Sequence, residues 1–166
     1  MSDQIRTLGL YQPYAELMMH GKIETRWVRR GRKPPFPLGP YLLYATQKDY
    51  TLQELSQIAG EKQYRRINGI INGITLAKGA AVCTGDLVKI IYVVPGMDNE
   101  TFVDCRENMR VRLLGYGTPQ KPVGTIREVM VGLIFENVRR IKLFPFKGKQ
   151  GVGFLSEADR RKIEYV

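Results

Sequence analysis

The chain has 166 residues, 43% of them hydrophobic and 25% charged, which suits one globular domain with a sizeable core, and it shows no internal repeat or low-complexity tail. Its formal net charge is +10, from 26 Lys and Arg against 16 Asp and Glu, a balance that suits a polyanionic partner. The single histidine, His20, excludes a histidine-rich metal site and a two-histidine nuclease, and Cys83 and Cys105 have no close Cys or His beside them, so free thiols are expected and neither a metal nor a cofactor.

Residues 8–27, LGLYQPYAELMMHGKIETRW, read as a strand, a short helix and a second strand. Pro13 suits the first helical position, because its φ is already fixed and its missing N–H is not needed there. Tyr14, Leu17 and Met18 then share one helical face, His20 favours the negative end of the helix dipole, and Gly21 can take the left-handed conformation that stops the helix. Beyond it the period changes to two: Ile23, Thr25 and Trp27 alternate with Lys22, Glu24 and Arg26, which marks a half-buried strand with three charges on one face. That face reads either as a solvated ion-pair row or as a site, with Tyr11 and Gln12 at the helix entrance adding an aromatic ring and an amide.

Residues 29–40, RRGRKPPFPLGP, hold four basic residues, four prolines and two glycines and read as a stiff, exposed loop. Residues 41–46 form a buried strand by composition, and Thr51-Leu52-Gln53-Glu54 is a capping box opening a helix that ends at Gly60. Ile67, Ile70, Ile71 and Ile74 keep helical spacing despite Gly69 and Gly73, so a helix is expected with an irregular hairpin as competitor. Residues 80–94 give two strands or one bulged strand about Thr84-Gly85-Asp86; residues 95–99 are turn-rich and 115–123 flexible. Residues 129–141 are strand-like, Ser156 caps a short helix, and 163–166 add an edge strand. Short strands with brief helices indicate a mixed α+β domain around a small barrel. No apolar run is long enough to span a bilayer, and the start MSDQIRT lacks the basic and apolar regions of a secretory signal, so a cytoplasmic protein without a membrane partner is expected.

The positive charge is clustered: Arg26, Arg29, Arg30, Arg32 and Lys33; Arg65 and Arg66; Arg139, Arg140 and Lys142; Lys147 and Lys149; Arg160, Arg161 and Lys162. Trp27, Phe36, Tyr41, Tyr44, Tyr64, Phe144 and Phe146 lie close to these charges in sequence. Lysine and arginine neutralise phosphates while aromatic faces stack unpaired bases, so the combination points to nucleic acid, although most of these rings at strand spacing belong to a core.

The run Gln12-Pro13-Tyr14-Ala15, the string Gly21-Lys22-x-Glu24-Thr25-Arg26, the strand from Gly39 to Ala45, Gly85-Asp86-Leu87-Val88, and Glu136-Asn137-Val138 with the later segment PFKGKQG at 145–151 together resemble the ASCH family of the PUA-like superfamily. Tyr14 stands where the family often has Trp, and residues 95–128 have no counterpart and read as an insertion in a single domain spanning 1–166. The resemblance implies a PUA-like small β-barrel with short flanking helices and a cleft beside the first helix. In that cleft Lys22 and Arg26 would engage phosphate, Glu24 and Gln12 read a base edge, and Tyr11 or Trp27 stack. Arg29, Arg30 and Arg32 would clamp the backbone, with Lys147 and Lys149 at the rim. The expected partner is RNA or single-stranded DNA, or a modified nucleoside.

Part of the ASCH-like group is implied to remove acyl groups from N4-acylated cytidine nucleosides with a Lys-x-x-Thr pair and a glutamate, and Lys22 and Thr25 keep that spacing, with Glu24 beside them. A desolvated lysine can accept the hydroxyl proton, but in a regular strand residues 22 and 25 point to opposite faces. A non-specific nuclease is a further alternative; a metal-dependent one would want clustered carboxylates, and Asp98, Glu100 and Asp104 form the only such group.

Overall fold

The structure, a computed structural model, describes residues 4–21, 25–30, 36–49, 61–93, 101–104, 110–112, 129–149 and 151–166; for 25–30, 49, 61–64, 66, 92–93, 101–104, 110–112 and 129–131 the backbone alone is described. The architecture is α+β. Strand β1 (Arg6–Gln12) leads into helix α1 (Tyr14–Met19), followed by β2 (Thr25–Arg30), β3 (Gly39–Asp49), α2 (Glu61–Ile71) and β4 (Ala80–Val93). Then come β5 (Thr101–Asp104), β6 (Arg110–Arg112), β7 (Val129–Pro145), β8 (Val152–Phe154) and α3 (Glu157–Arg160). The strands form one mixed sheet in the order β2-β7-β4-β3-β1-β8, with β5 and β6 attached to the far end of β4. Among the described residues no ladder joins β2 to β8, so the sheet is barrel-like and open along that seam.

Curvature comes from β4 and β7, of 14 and 17 residues, whose ladder shifts register three times. Each shift inserts a bulge, which bends a strand and increases its twist. Thr84-Gly85-Asp86 is one of these, so residues 80–93 are one bulged strand with no turn. Opposite it Asn137 takes a φ of 51° and donates from Nδ2 to Asp86 Oδ2 at 3.1 Å. Two segments that carry the family resemblance are thus neighbours across one ladder.

Alternation in β1 and β3 sends Leu8, Leu10, Tyr41, Leu43 and Ala45 to one face, where they pack with Ala15, Leu17 and Met18 of α1, Ile67 of α2, and Leu133 and Phe135 of β7. The helix expected from Pro13 to Gly21 forms as Tyr14–Met19, with Pro13 just before it as the cap residue and not its first helical residue: Leu17 N donates to Pro13 O, and Gly21, at φ 66°, donates back to Met18 O as its stop. Helix α2 also forms despite Gly69, because Ile67 is wholly buried and Ile70 and Ile71 pack on the core; it ends before Gly73 (φ 77°), leaving Ile74 exposed.

On the opposite face Leu42, Ala81, Ile141 and Phe144 form a second cluster under Leu155 and Ile163. Ser156 caps α3 as expected, accepting from Asp159 N at 3.1 Å. The edge strand expected at 163–166 is reduced to one bridge, Ile141 to Tyr165, with Lys142 N donating to Glu164 O and Val166 N to Arg140 O.

Other expectations are corrected. The basic loop at 29–40 does not begin at Arg29: Arg29 and Arg30 continue β2, paired with Met130 and Val129, because an apolar partner strand outweighs local charge. Phe36 is buried and so leaves the exposed loop. Strand β3 runs on to Asp49 and β7 to Pro145. The helix expected at 51–60, the turns at 95–99 and 115–123, and Cys105 lie outside the described residues. Among the described residues no helix is long and apolar enough to cross a membrane.

Candidate nucleic-acid interface

The face of β1 and β3 turned away from the main core carries Gly9 and Tyr11 on one strand and Tyr44, Thr46 and Lys48 on the other. The segment after β7, residues 146–149, crosses this pair at Tyr44, and a cleft of about 840 Å³ opens beside it. That volume falls in the ordinary range for small-ligand sites, about 300–1,000 Å³.

The crossing segment is held by specific contacts. Tyr44 Oη donates to Lys149 O at 3.1 Å, and Phe146 N donates to Gly79 O at 2.9 Å, extending the β4–β7 ladder by one step. The Tyr44 and Phe146 rings lie 4.9 Å apart between centroids, and Phe144 meets Phe146 edge-on at 6.4 Å. Gly148 presses so closely on Tyr44 that a Cβ there would overlap the ring and hydroxyl, which explains glycine at the centre of Lys147-Gly148-Lys149. Burial pushes the Tyr44 phenol above its ordinary pKa, so it stays a neutral donor at physiological pH.

Cations frame this aromatic floor. Lys48 Nζ stands 5.3 Å from the centroid of the Tyr11 ring, a cation–π arrangement, while Lys147 and Lys149 are exposed on the crossing segment. Among the described residues, no carboxylate and no histidine lines the cleft.

Of the residues expected to form a site, Tyr11, Lys147 and Lys149 come together here. Gln12 does not face the cleft. It is wholly buried, its Nε2 donating to Ala77 O at 2.7 Å and its Oε1 accepting from Glu16 N at 3.0 Å, so its amide ties the start of α1 to the segment before β4. Arg26, Trp27, Arg29 and Arg30, with Thr25, belong to β2, which is separated from β1 along the sheet by β7, β4 and β3; their backbone alone is described. Lys22, Glu24 and Arg32 lie outside the described residues. The hydrolytic pair Lys22 and Thr25 therefore has no described side-chain geometry.

Two neighbouring groups complete the picture. Glu16 is a buried carboxylate on α1, with His20 Nε2 at 2.9 Å from its Oε1. Cys83 is a buried free thiol whose pKa is pushed up to about 12 by desolvation, so it is inert. Lys48, Thr46 and Gly79 were not legible as site residues. The alternation Tyr44, Thr46, Lys48 was the available signal for the first two, but it required β3 to run past Thr46.

No family model matches this sequence, and no curated protein matches it. Among solved structures the chain is similar to the ASCH protein of Zymomonas mobilis, at 11% identity and a TM-score of 0.46 over 95% of this chain and 91% of that one. It is likewise similar to a point mutant of that protein, at 12% identity and a TM-score of 0.49 over 95% and 94%. Both are ASCH structures, and at such identity the likeness assigns no residue a role.

Proposed function

We propose that this chain is an ASCH-type, PUA-like domain that binds single-stranded nucleic acid, RNA or DNA, in the cleft between β1, β3 and residues 145–151. The observation that carries the reading is the lining itself: Lys48, Lys147 and Lys149 beside Tyr11, Tyr44 and Phe146, with no carboxylate among the described lining residues. Ammonium groups neutralise phosphates and release counterions, while a half-buried ring such as Tyr11 offers a face to an unpaired base, worth about 1–3 kcal/mol per stacked base. Tyr44, being buried, serves as floor and anchors the loop. The net charge of +10 adds long-range attraction for the same ligand.

The test is fluorescence anisotropy with a labelled single-stranded oligonucleotide at several salt concentrations, on wild type and on a Lys147→Ala, Lys149→Ala double variant. Wild type should bind with strong salt dependence, and the variant should lose about 1.4 from the magnitude of the log-affinity against log-salt slope, about 0.7 for each single-strand phosphate contact removed. Both lysines are exposed, so thermal melting should be unchanged. Failure of wild type to bind, or an unaltered slope in the variant, would sink the proposal.

A further inference from the structure

We infer that the cleft receives the end of a strand bearing a terminal phosphate, in preference to an internal stretch of chain; this rests on the nucleic-acid reading above. One observation is the segment pinned across the cleft. The Tyr44 hydroxyl bond to Lys149 O and the Phe146 N–H bond to Gly79 O fasten residues 146–149 to the middle of β3 and to the residue before β4, and the Tyr44 and Phe146 rings pack together beneath. A strand entering beside Tyr11 meets that wall and has to stop, whereas an internal stretch needs a groove open at both ends.

A second observation is the amount of charge at one place. Three lysines from two separate segments line a single cleft that has no described carboxylate. An internal phosphodiester brings one negative charge, while a terminal phosphomonoester carries about −1.5 to −2 near pH 7 and a third acceptor oxygen. The dianion is the better match to three ammonium groups. Gly151 lines the cleft with open space where a side chain would stand, so a tetrahedral group can approach its backbone closely.

The experiment uses one short oligonucleotide sequence in three forms, with a 5′-phosphate, with a 3′-phosphate, and with hydroxyls at both ends, each labelled away from the end tested. One phosphorylated form should bind at least about tenfold tighter than the hydroxyl form, a charge-assisted gain. The Lys147→Ala, Lys149→Ala variant should erase that preference. The preference should also shrink between about pH 7.5 and about pH 5.5, as the monoester takes up its second proton near a pKa of about 6. Apart from Lys48, Lys147 and Lys149, the described titratable lining groups are the phenols of Tyr11 and Tyr44. Equal, salt-sensitive binding of all three forms would overturn this inference and leave the nucleic-acid reading standing; binding of none would overturn both.

Discussion

Strands β1 and β3 present two faces built on one backbone. Leu10, Tyr41 and Leu43 are wholly buried on the first face, under α1 and β7, whereas Tyr11 and Thr46 on the second remain half open to solvent in the cleft. The first face is held by apolar volume, which tolerates no loss of a methyl group without cost. On the second, beside the apolar cluster around Leu42 and Phe144, the cleft itself is shaped by a few directional contacts, Tyr44 to Lys149 O and Phe146 N to Gly79 O, and by the absence of side chains at Gly9 and Gly148. Stability and binding should therefore be separable by mutation, even between adjacent residues of one strand.

The largest effect is expected from Leu43→Ala on the sealed face, which should lower unfolding free energy by about 3 kcal/mol, from lost transfer energy plus a cavity. Chemical denaturation checks it, and the salt slope of oligonucleotide binding should stay at the wild-type value at temperatures where the variant is folded. Gln12→Ala comes next. It removes partners from the Ala77 carbonyl and the Glu16 N–H and should cost about 2 kcal/mol, since a buried polar group left unpaired costs about 1–3 kcal/mol. Ligand affinity in the folded variant should stay within about threefold; a tenfold loss, roughly 1.4 kcal/mol, would give Gln12 a role in the cleft that its burial argues against.

The smallest effect belongs to α3, which is flanked by Leu155 and Ile163 of the second-face cluster. The Lys162 ammonium, donating to Asp159 at 2.8 Å, and the Ser156 hydroxyl hold the Asp159 carboxyl below its ordinary pKa, against a smaller opposing effect of desolvation. Because the folded value lies below the unfolded one, near about 3.9, this contribution is fully present above that pH and is lost as pH falls through the folded value. Thermal melts from about pH 5 to about pH 2 should show a slightly shallower decline for Asp159→Asn than for wild type. Identical declines would remove Asp159 from the acid response.

The elements read correctly in the sequence were those whose signals are local. Pro13, Tyr14, Leu17 and Met18 with Gly21 define α1 through spacing and a stop residue, and Ser156 defines α3 through a cap. What escaped was decided by partners distant in sequence. Arg29 and Arg30 look like loop until Met130 and Val129 pair with them. Thr101–Asp104, Arg110–Arg112 and Val152–Phe154 are too short for a period of two to emerge. The same holds for the cleft: Lys147 and Lys149 were legible as charge and Tyr11 as a ring that could stack, but Lys48 joins them only because β3 lies parallel to β1. Gln12 shows the opposite limit, since an amide committed to Ala77, 65 residues away, is indistinguishable in sequence from one offered to a ligand.

The pairing of β1 with β8 has a consequence in time. Arg6 faces Phe154 and Leu155 N donates to Ile5 O, so a strand near the start of the chain waits for one near its end. Contacts of such long sequence separation form slowly, because loop closure must be met before pairing rewards it. During synthesis α1 can form its turns early, yet residues 145–151 must emerge before the cleft has a wall. The cleft thus arises late, and a nascent chain halted before Pro145 would lack its wall.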